Sequence, residues 1–470
     1  MIPFGLVLLN FVLKIIFLGQ QDIAMDEPFT IYYSQAGFSS LFDMLKTENN
    51  PPLFFILMHF WIKVFGISAF SVRFLPLLFS SMTAPIIYLI GKRFFSNRAG
   101  IVASLIFTFS NYQLAFYHEA RVYPLFSLLT SLSMFFFFSL IQNPGRRNSS
   151  YMLIIVNVLL IYSHFFGFFV IVIQALSCLI FSNMGKVRKP YFISQIITLS
   201  FYLLYFPILL SRFNASSGGT WVPQPLISDL YTMVWRFSNV PMVTVFYLLL
   251  FLATSLKYLI KRQHITENLS SCQKVLLSWF FIPYFAIFLI SFKLPMFFDR
   301  YLVFISIAFY LLIGQAIVYL SGLKKVLFYI LSFIGVGGML LTFHPNQDNH
   351  RRLKQAVEVV KILKDRRTAV FICPEWLDLG FTYYYNQQYF KDYGNLRSDL
   401  NKMAIFPINH PSQVPDTIRK KYGSVILFEE WPEVVDKNND LLKEFSGRYS
   451  APKKFKVPEA YKIYYFYQKK

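Results

Sequence analysis

Residues 49–66 read NNPPLFFILMHFWIKVFG, and whether this stretch crosses a membrane decides the fold. It is apolar enough to resemble a span. Yet it opens on Pro51 and Pro52 and carries His59 and Lys63, four residues apart on one helix face. Paired prolines stop one helix and pre-set the next. These features predict a juxtamembrane or re-entrant helix over 51–67 and not a span.

The flanking charges test that choice. Hydrophobic runs lie at 2–19, 71–91, 99–117, 122–142, 151–163, 165–182, 191–210, 241–260, 274–292, 300–320 and 325–343. With 51–67 kept at the surface, the basic clusters at 92–98, 146–147, 186–189, 257–262 and 324–325 all fall on one side, which the positive-inside rule makes cytoplasmic. The loops holding Asp26 and Glu27, His118 to Arg121, 212–240 and 293–300 all fall on the other. Counting 51–67 as a span scatters the basic clusters over both faces. The reading is a polytopic α-helical membrane protein of about eleven spans with its N-terminus in the cytoplasm.

Composition agrees. The chain has 470 residues, 55% of them hydrophobic and 19% aromatic, with 55 Phe. Only 15% are charged, against about 25% in soluble domains. That excludes one soluble globule, whose core could not hide so much apolar surface. The net charge of +21 is accounted for by cytoplasmic loops, so no nucleic-acid partner is implied. Cys178, Cys272 and Cys373 are far apart and form no CxxC, which argues against a disulfide or zinc framework. The opening MIPFGLVLLNFVLKIIFLGQ lacks a basic n-region and an A-x-A site and reads as a retained first span, with Lys14 snorkelling or facing protein.

Residues 1–343 therefore form the transmembrane domain, with 20–70 as a first outer loop of juxtamembrane helices. Residues 344–470 are polar and lack a spanning run. There, HRRLKQAVEVVKILKD predicts an amphipathic helix, and TAVFICPE, SVILFEE and KIYYFYQ predict strands. A small soluble α/β domain on the outer face is expected. No GxGxxG or GxxxxGK[ST] marks it as a nucleotide site, so packing or acceptor presentation is its expected role.

Topology gathers polar groups at the outer face. MDEPFT holds Asp26 and Glu27; a carboxylate there can act as a general base, or Asp26 can simply cap a helix. TENNPPLFF holds Glu48, a second acid or a metal ligand, and His59 lies beyond it. YHEARVYPL holds His118, Glu119, Arg121 and Tyr123. Arginine binds phosphate bidentately, and tyrosine can donate to it or pack on a sugar. FKLPMFFDRYLVF holds Lys293, Asp299, Arg300 and Tyr301, basic groups with no role in cytoplasmic topology that suit an anionic headgroup. His164 sits in an outer hairpin, as a structural hydrogen-bonder or a metal ligand. No nucleophile elbow, P-loop or HExxH is present, so a sugar-nucleotide donor does not fit, while a lipid-borne donor already has its phosphate at this interface.

As a set, these segments resemble the GT-C class of membrane glycosyltransferases, and within it the bacterial relatives of protein O-mannosyltransferases and lipid A aminoarabinose transferases. The resemblance covers roughly 1–345. It runs through Asp26 and Glu27, NNPPLFFILMHFWIKVFG, Arg73, GKRFFSNRAGIVAS, HEARVYPL, YSHFFGFFVIVIQ and FFDRYLVF. It implies a polyprenyl-phosphate-sugar donor, inverting transfer, Asp26 as base, and an outer-face acceptor that is a protein, glycolipid or glycan. A bacterial cytoplasmic membrane is the implied location. Arg121, Arg300 and Lys293 would hold the phosphate, and Glu27 would orient the acceptor or steady its loop. Relatives carry His-Pro-Pro where this chain has Asn50-Pro51-Pro52, and Glu-Lys-Pro where it has Glu48-Asn49-Asn50. Their metal binding is therefore not carried over; a divalent cation stays an open option, with Glu48 and His164 as candidate ligands. A transporter or flippase for lipid-linked sugars is the rival class, and a surface-polysaccharide polymerase or ligase the rival within the chemistry. A transporter is expected to place charges at the midplane and to show repeats; here the charges gather at one face.

Overall fold

The computed structural model describes residues 1–216, 221–260, 269–346, 351–414, 421–432, 436, 438–455, 457 and 460–467. The chain divides into two compact units. A helical unit comprises Met1–Leu18, Phe42–Leu57 and Arg73–Gln347, and a sheet unit comprises Gly19–Leu41, Met58–Val72 and Asp348–Lys470.

A helix stands at each of the eleven hydrophobic runs. Among the described residues, five are long and apolar enough to cross a membrane singly: Ala69–Phe94, Tyr123–Gln142, Pro241–Ile260, Ser271–Ile290 and Val303–Ser321. Two runs differ from a simple rod. The 99–117 run is two helices, Asn97–Thr108 and Asn111–Tyr117, bent by 58°. Ser96 Oγ accepts from Ala99 N at 3.1 Å and Ser110 Oγ from Gln113 N at 3.3 Å, so each helix has its own N-cap. The 191–210 run divides into Gly185–Tyr202 and Phe206–Ser216. The helix over Leu53–Phe65 has 13 residues, about 20 Å, too short for a hydrocarbon core of about 30 Å.

Packing in the helical unit relies on close backbone approach and buried amides. A Cβ on Gly91 would lie 2.2 Å from Gly100 Cα, and one on Gly314 would lie 2.5 Å from Ala99 O, the small-residue contact expected between helices in lipid. Asn157 donates to Gln195 Oε1 at 3.1 Å and accepts from Ser133 Oγ at 2.6 Å, while Gln174 donates to Ser133 Oγ at 2.7 Å. That network joins four helices where apolar contact alone gives little specificity. The helix Val303–Ser321 is almost wholly buried along its length.

The sheet unit has five strands: β1 Thr368–Cys373, β2 Ile405–Pro407, β3 Ser424–Glu430, β4 Lys453–Phe455 and β5 Tyr461–Tyr467. Their order is β2-β1-β3-β5-β4. β1 pairs in parallel with β2 and β3, and β5 runs antiparallel to β3 and β4. Every residue of β1 and β3 is buried, as expected of central strands covered on both faces. Helix Leu353–Leu363 is amphipathic as its sequence predicts, with Leu353, Ala356, Val357 and Val360 inward.

Two N-terminal segments, Gly19–Leu41 and Met58–Val72, belong to this sheet unit. Ile23 N donates to Tyr384 Oη at 2.6 Å, Tyr383 Oη donates to Ile67 O at 2.8 Å, and Gly394 N donates to Tyr32 Oη at 3.0 Å. Lys354 N donates to Asp22 Oδ2 at 2.9 Å. The C-terminal residues thus fasten the segment that carries Asp26 and Glu27. All three cysteines are buried and unbridged.

Candidate functional site

The acidic pair opens the helix Glu27–Ser34. The chain enters it through Met25 at φ 57°, a left-handed conformation uncommon for such a side chain. Pro28 fills the first turn, where its missing N–H is harmless. Asp26 is the N-cap residue by position, but its side chain makes no capping bond; its carbonyl accepts from Thr30 Oγ1 at 3.2 Å. The carboxylate is half-buried, and Glu27 is buried at its side. The bland role open to Asp26, a side-chain cap, is therefore absent.

His59 steadies the other end of this helix. Its Nδ1 lies 2.8 Å from Ser34 O; a carbonyl only accepts, so Nδ1–H donates and Nε2 is left as an acceptor. The ring packs on Phe38 at 4.9 Å. His59 thus holds the segment bearing the acidic pair through its backbone.

The helical unit assembles a second set. Arg121 and Tyr123 are both buried, on the HEARVYPL turn and on the helix Tyr123–Gln142 that follows it. Arg300 and Tyr301 lie in the tight turn before the helix Val303–Ser321. The Arg300 guanidinium sits 6.0 Å from the Tyr123 ring, 5.4 Å from Trp221 and 5.4 Å from Phe298, within cation–π range of all three. Tyr301 stacks on Phe166 at 5.1 Å and 14°. His164 stacks on Phe126 at 4.8 Å and 18°, with its centroid 6.1 Å from both Tyr123 and Tyr301. Burial, and then the charge of Arg121, push its pKa down to about 3, so the ring is neutral. Arg121, Tyr123, His164, Arg300 and Tyr301, read from three separate motifs, form one basic and aromatic cluster.

Other predicted residues fall elsewhere. His118 turns toward the first helix, with Nε2 3.1 Å from Lys14 O; burial is the main cause that lowers its pKa to about 4. Glu119 is half-buried, and its carbonyl accepts from Arg121 N at 2.8 Å. Lys293 is exposed. Glu48 accepts from Asn50 Nδ2 at 2.7 Å. Among the described residues, no three His, Cys, Asp or Glu side chains are grouped to hold a metal ion. His164 is unsuited to that role for a specific reason: its Nδ1 accepts from Phe166 N at 3.1 Å, which puts the ring proton on Nε2. Sequence reasoning missed Trp221 and Phe298, the other faces of Arg300, and Arg236, which pairs with Asp299. The carboxylate of Asp299, next to Arg300 in sequence, thus pairs with Arg236.

The family described as dolichyl-phosphate-mannose-protein mannosyltransferase matches residues 49–211. The structure of ArnT from Cupriavidus metallidurans in the apo state is similar over 98% of this chain and 97% of that one, with a TM-score of 0.64 at 12% identity. ArnT from the same organism bound to undecaprenyl phosphate gives a TM-score of 0.61 at 11% identity, with coverage of 98% and 97%. The archaeal oligosaccharyltransferase AglB from Archaeoglobus fulgidus, in complex with an inhibitory peptide and a dolichol-phosphate, gives 0.52 at 9% identity over 94% of this chain and 70% of that one. No curated protein sequence matches the chain. The fold is that of GT-C membrane glycosyltransferases, as the resemblance in the sequence implies.

Proposed function

We propose that this multi-pass membrane protein of GT-C fold transfers a sugar, with inversion, from a polyprenyl-phosphate donor to an acceptor at the outer face of a bacterial cytoplasmic membrane. The observation that carries the reading is the grouping of Tyr123, Tyr301 and Arg300 around His164, whose ring also feels the charge of buried Arg121. Guanidinium groups supply charge and a hydrogen-bonding fork for a phosphate, and tyrosine rings supply a face for a sugar. The lipid phosphates bound in the ArnT and AglB structures support a donor of that class.

Inverting transfer is a single in-line displacement. Asp26 takes the proton from the acceptor hydroxyl or amine as that atom bonds to the anomeric carbon. The bond from that carbon to the phosphate oxygen breaks, and its electron pair leaves with the phosphate, whose growing charge Arg121 and Arg300 stabilise, assisted by Lys293. Glu27 orients the acceptor or steadies the helix start. Sheet-unit contacts and His59 keep the Asp26 segment in place, since a base displaced by about 1 Å loses much of its effect.

The test uses purified full-length protein, a radiolabelled polyprenyl-phosphate sugar and membrane acceptors. Asp26→Asn is expected to lower transfer by about 10²–10⁴-fold with thermal stability unchanged. Unimpaired transfer overturns the base assignment.

A further inference from the structure

His164 has a donor without a recipient. The Phe166 N–H points at Nδ1, so Nδ1 is the bare nitrogen and Nε2 carries the proton. The ring cannot turn to hide it, because Nδ1 is held by the backbone and one face lies stacked on Phe126. The residue is 2% exposed, and Nε2 finds no hydrogen-bond partner among the described residues. Buried donors are nearly always paired, and each exception asks for an explanation.

The surroundings say what chemistry would satisfy it. Arg121 is close enough for its charge to act on the imidazole, and Tyr123 and Tyr301 flank the ring. The Arg300 guanidinium lies 6.0 Å from the same Tyr123 ring. A group that accepts from Nε2–H in the presence of Arg121 is best an anion with several oxygens. The imidazole suits this task because it is a neutral donor of fixed direction, which adds a hydrogen bond without adding like charge.

We propose that His164 Nε2–H donates to a phosphate oxygen of the lipid-linked donor, as a third contact beside Arg121 and Arg300; this rests on the donor reading above. The contact strengthens as charge collects on the departing phosphate, so its loss affects both donor affinity and turnover.

Two substitutions separate the nitrogens. His164→Asn keeps an acceptor for the Phe166 N–H and removes the distal donor, whereas His164→Gln keeps a distal donor. In the full-length protein in lipid nanodiscs, His164→Asn is expected to weaken undecaprenyl phosphate binding about tenfold, to raise the donor KM and to lower kcat. His164→Gln is expected to restore binding to within about threefold of wild type, a rescue that a purely structural role would not give. Arg121→Gln serves as the control on the donor reading. Weakening by Arg121→Gln but not by His164→Asn overturns the role of His164 alone, and weakening by neither overturns the phosphate reading as well. Inorganic phosphate titrated into the same samples separates the sources: an effect of His164→Asn confined to inorganic phosphate overturns the assignment to a lipid-linked group. If His164→Asn fails to fold, His164→Gln decides, and a tenfold loss in the folded variant overturns the proposal.

Discussion

The two units differ in what most of their charged side chains meet. In the sheet unit, two buried carboxylates have arginine partners: Arg351 reaches Glu430 at 2.5 Å, and Arg397 reaches Asp378 at 2.7 Å. In the helical unit Arg236 pairs with Asp299, but several cations rest on aromatic rings: buried Lys14 on Tyr117 and Phe107, half-buried Lys257 on Tyr319, half-buried Arg300 on three rings, and exposed Arg93 on Phe94 and Phe135. Composition explains the difference. Between Arg73 and Gln347 the sequence has only four acids, Glu119, Asp229, Glu267 and Asp299. A cation there that needs a partner meets a π face far more often than a carboxylate, and a π face leaves the charge open to an incoming anion. Glu430 and Asp378 in the sheet unit are paired internally, whereas Arg300 in the helical unit, seated on rings, keeps its positive charge available.

The largest effect expected from this contrast is a pH dependence confined to the sheet unit. Burial raises the pKa of Glu430 from 4.5 to about 7 despite the attraction of Arg351. The folded state therefore holds this proton more tightly than the unfolded chain. Its contribution to stability is fully present below pH 4.5, declines as pH rises from 4.5 to about 7, and levels off above. The total is up to about 3 kcal/mol. Asp378 is raised for the same first cause, burial, and adds with the same sign. Hydrogen exchange on the full chain is expected to show faster opening of β3 and β5 at pH 7.5 than at pH 5, with Glu430→Gln flattening the profile. Equal protection at both values would mean that Arg351 compensates Glu430 completely.

An intermediate effect is expected at Arg300. If its aromatic seat keeps the guanidinium available to the donor phosphate, Arg300→Ala raises the donor KM about tenfold or more and leaves unfolding temperature nearly unchanged. Arg300→Lys recovers only part, because a point charge lacks the planar fork and stacks less well. A large loss of stability with unaltered donor KM would reassign Arg300 to structure and weaken the contrast between the units.

Much of this was legible in the sequence, for identifiable reasons. Strands β1, β3 and β5 are contiguous apolar or aromatic runs, while β2 and β4, at three residues each, are too short to leave a pattern. The short helix at Leu53–Phe65 is legible because Pro51 and Pro52 mark its start and Gly66 its end. The break near Ser110 is hidden because hydropathy stays high through it; only the serine caps mark it, and serines are common within these runs. In the site, charged and titratable residues stand out against an apolar background, so Arg121, His164 and Arg300 were legible. Trp221, Phe298 and Phe126 were not, because one ring among 55 Phe, 30 Tyr and 6 Trp carries no positional signal. The union of 19–41 with the C-terminal residues was also invisible, since it depends on pairings such as Ile23 with Tyr384 across most of the chain.

Lys14 offers the smallest predicted effect and the strictest test. It is fully buried in the first helix, 3.1 Å from Ser80 Oγ and 3.9 Å from the Tyr117 ring centre. No carboxylate among the described residues pairs with it. Removing one partner of a buried ion pair strands the other charge, but removing a cation held by rings strands nothing. Lys14→Met keeps length and flexibility and still packs against Tyr117 and Phe107. The lost cation–π attraction and hydrogen bond, of order 2 kcal/mol, offset the relieved desolvation penalty, so the net change is expected to lie within about 1 kcal/mol. Arg351→Met at pH 8, by contrast, strands Glu430 and is expected to destabilise the sheet unit by about 2–4 kcal/mol. Thermal unfolding of the two variants in parallel reads this difference directly. Equal losses would show that aromatic faces compensate buried charge as fully as a carboxylate does. The helical unit's cations would then be structural fixtures, not charge held ready for an anion.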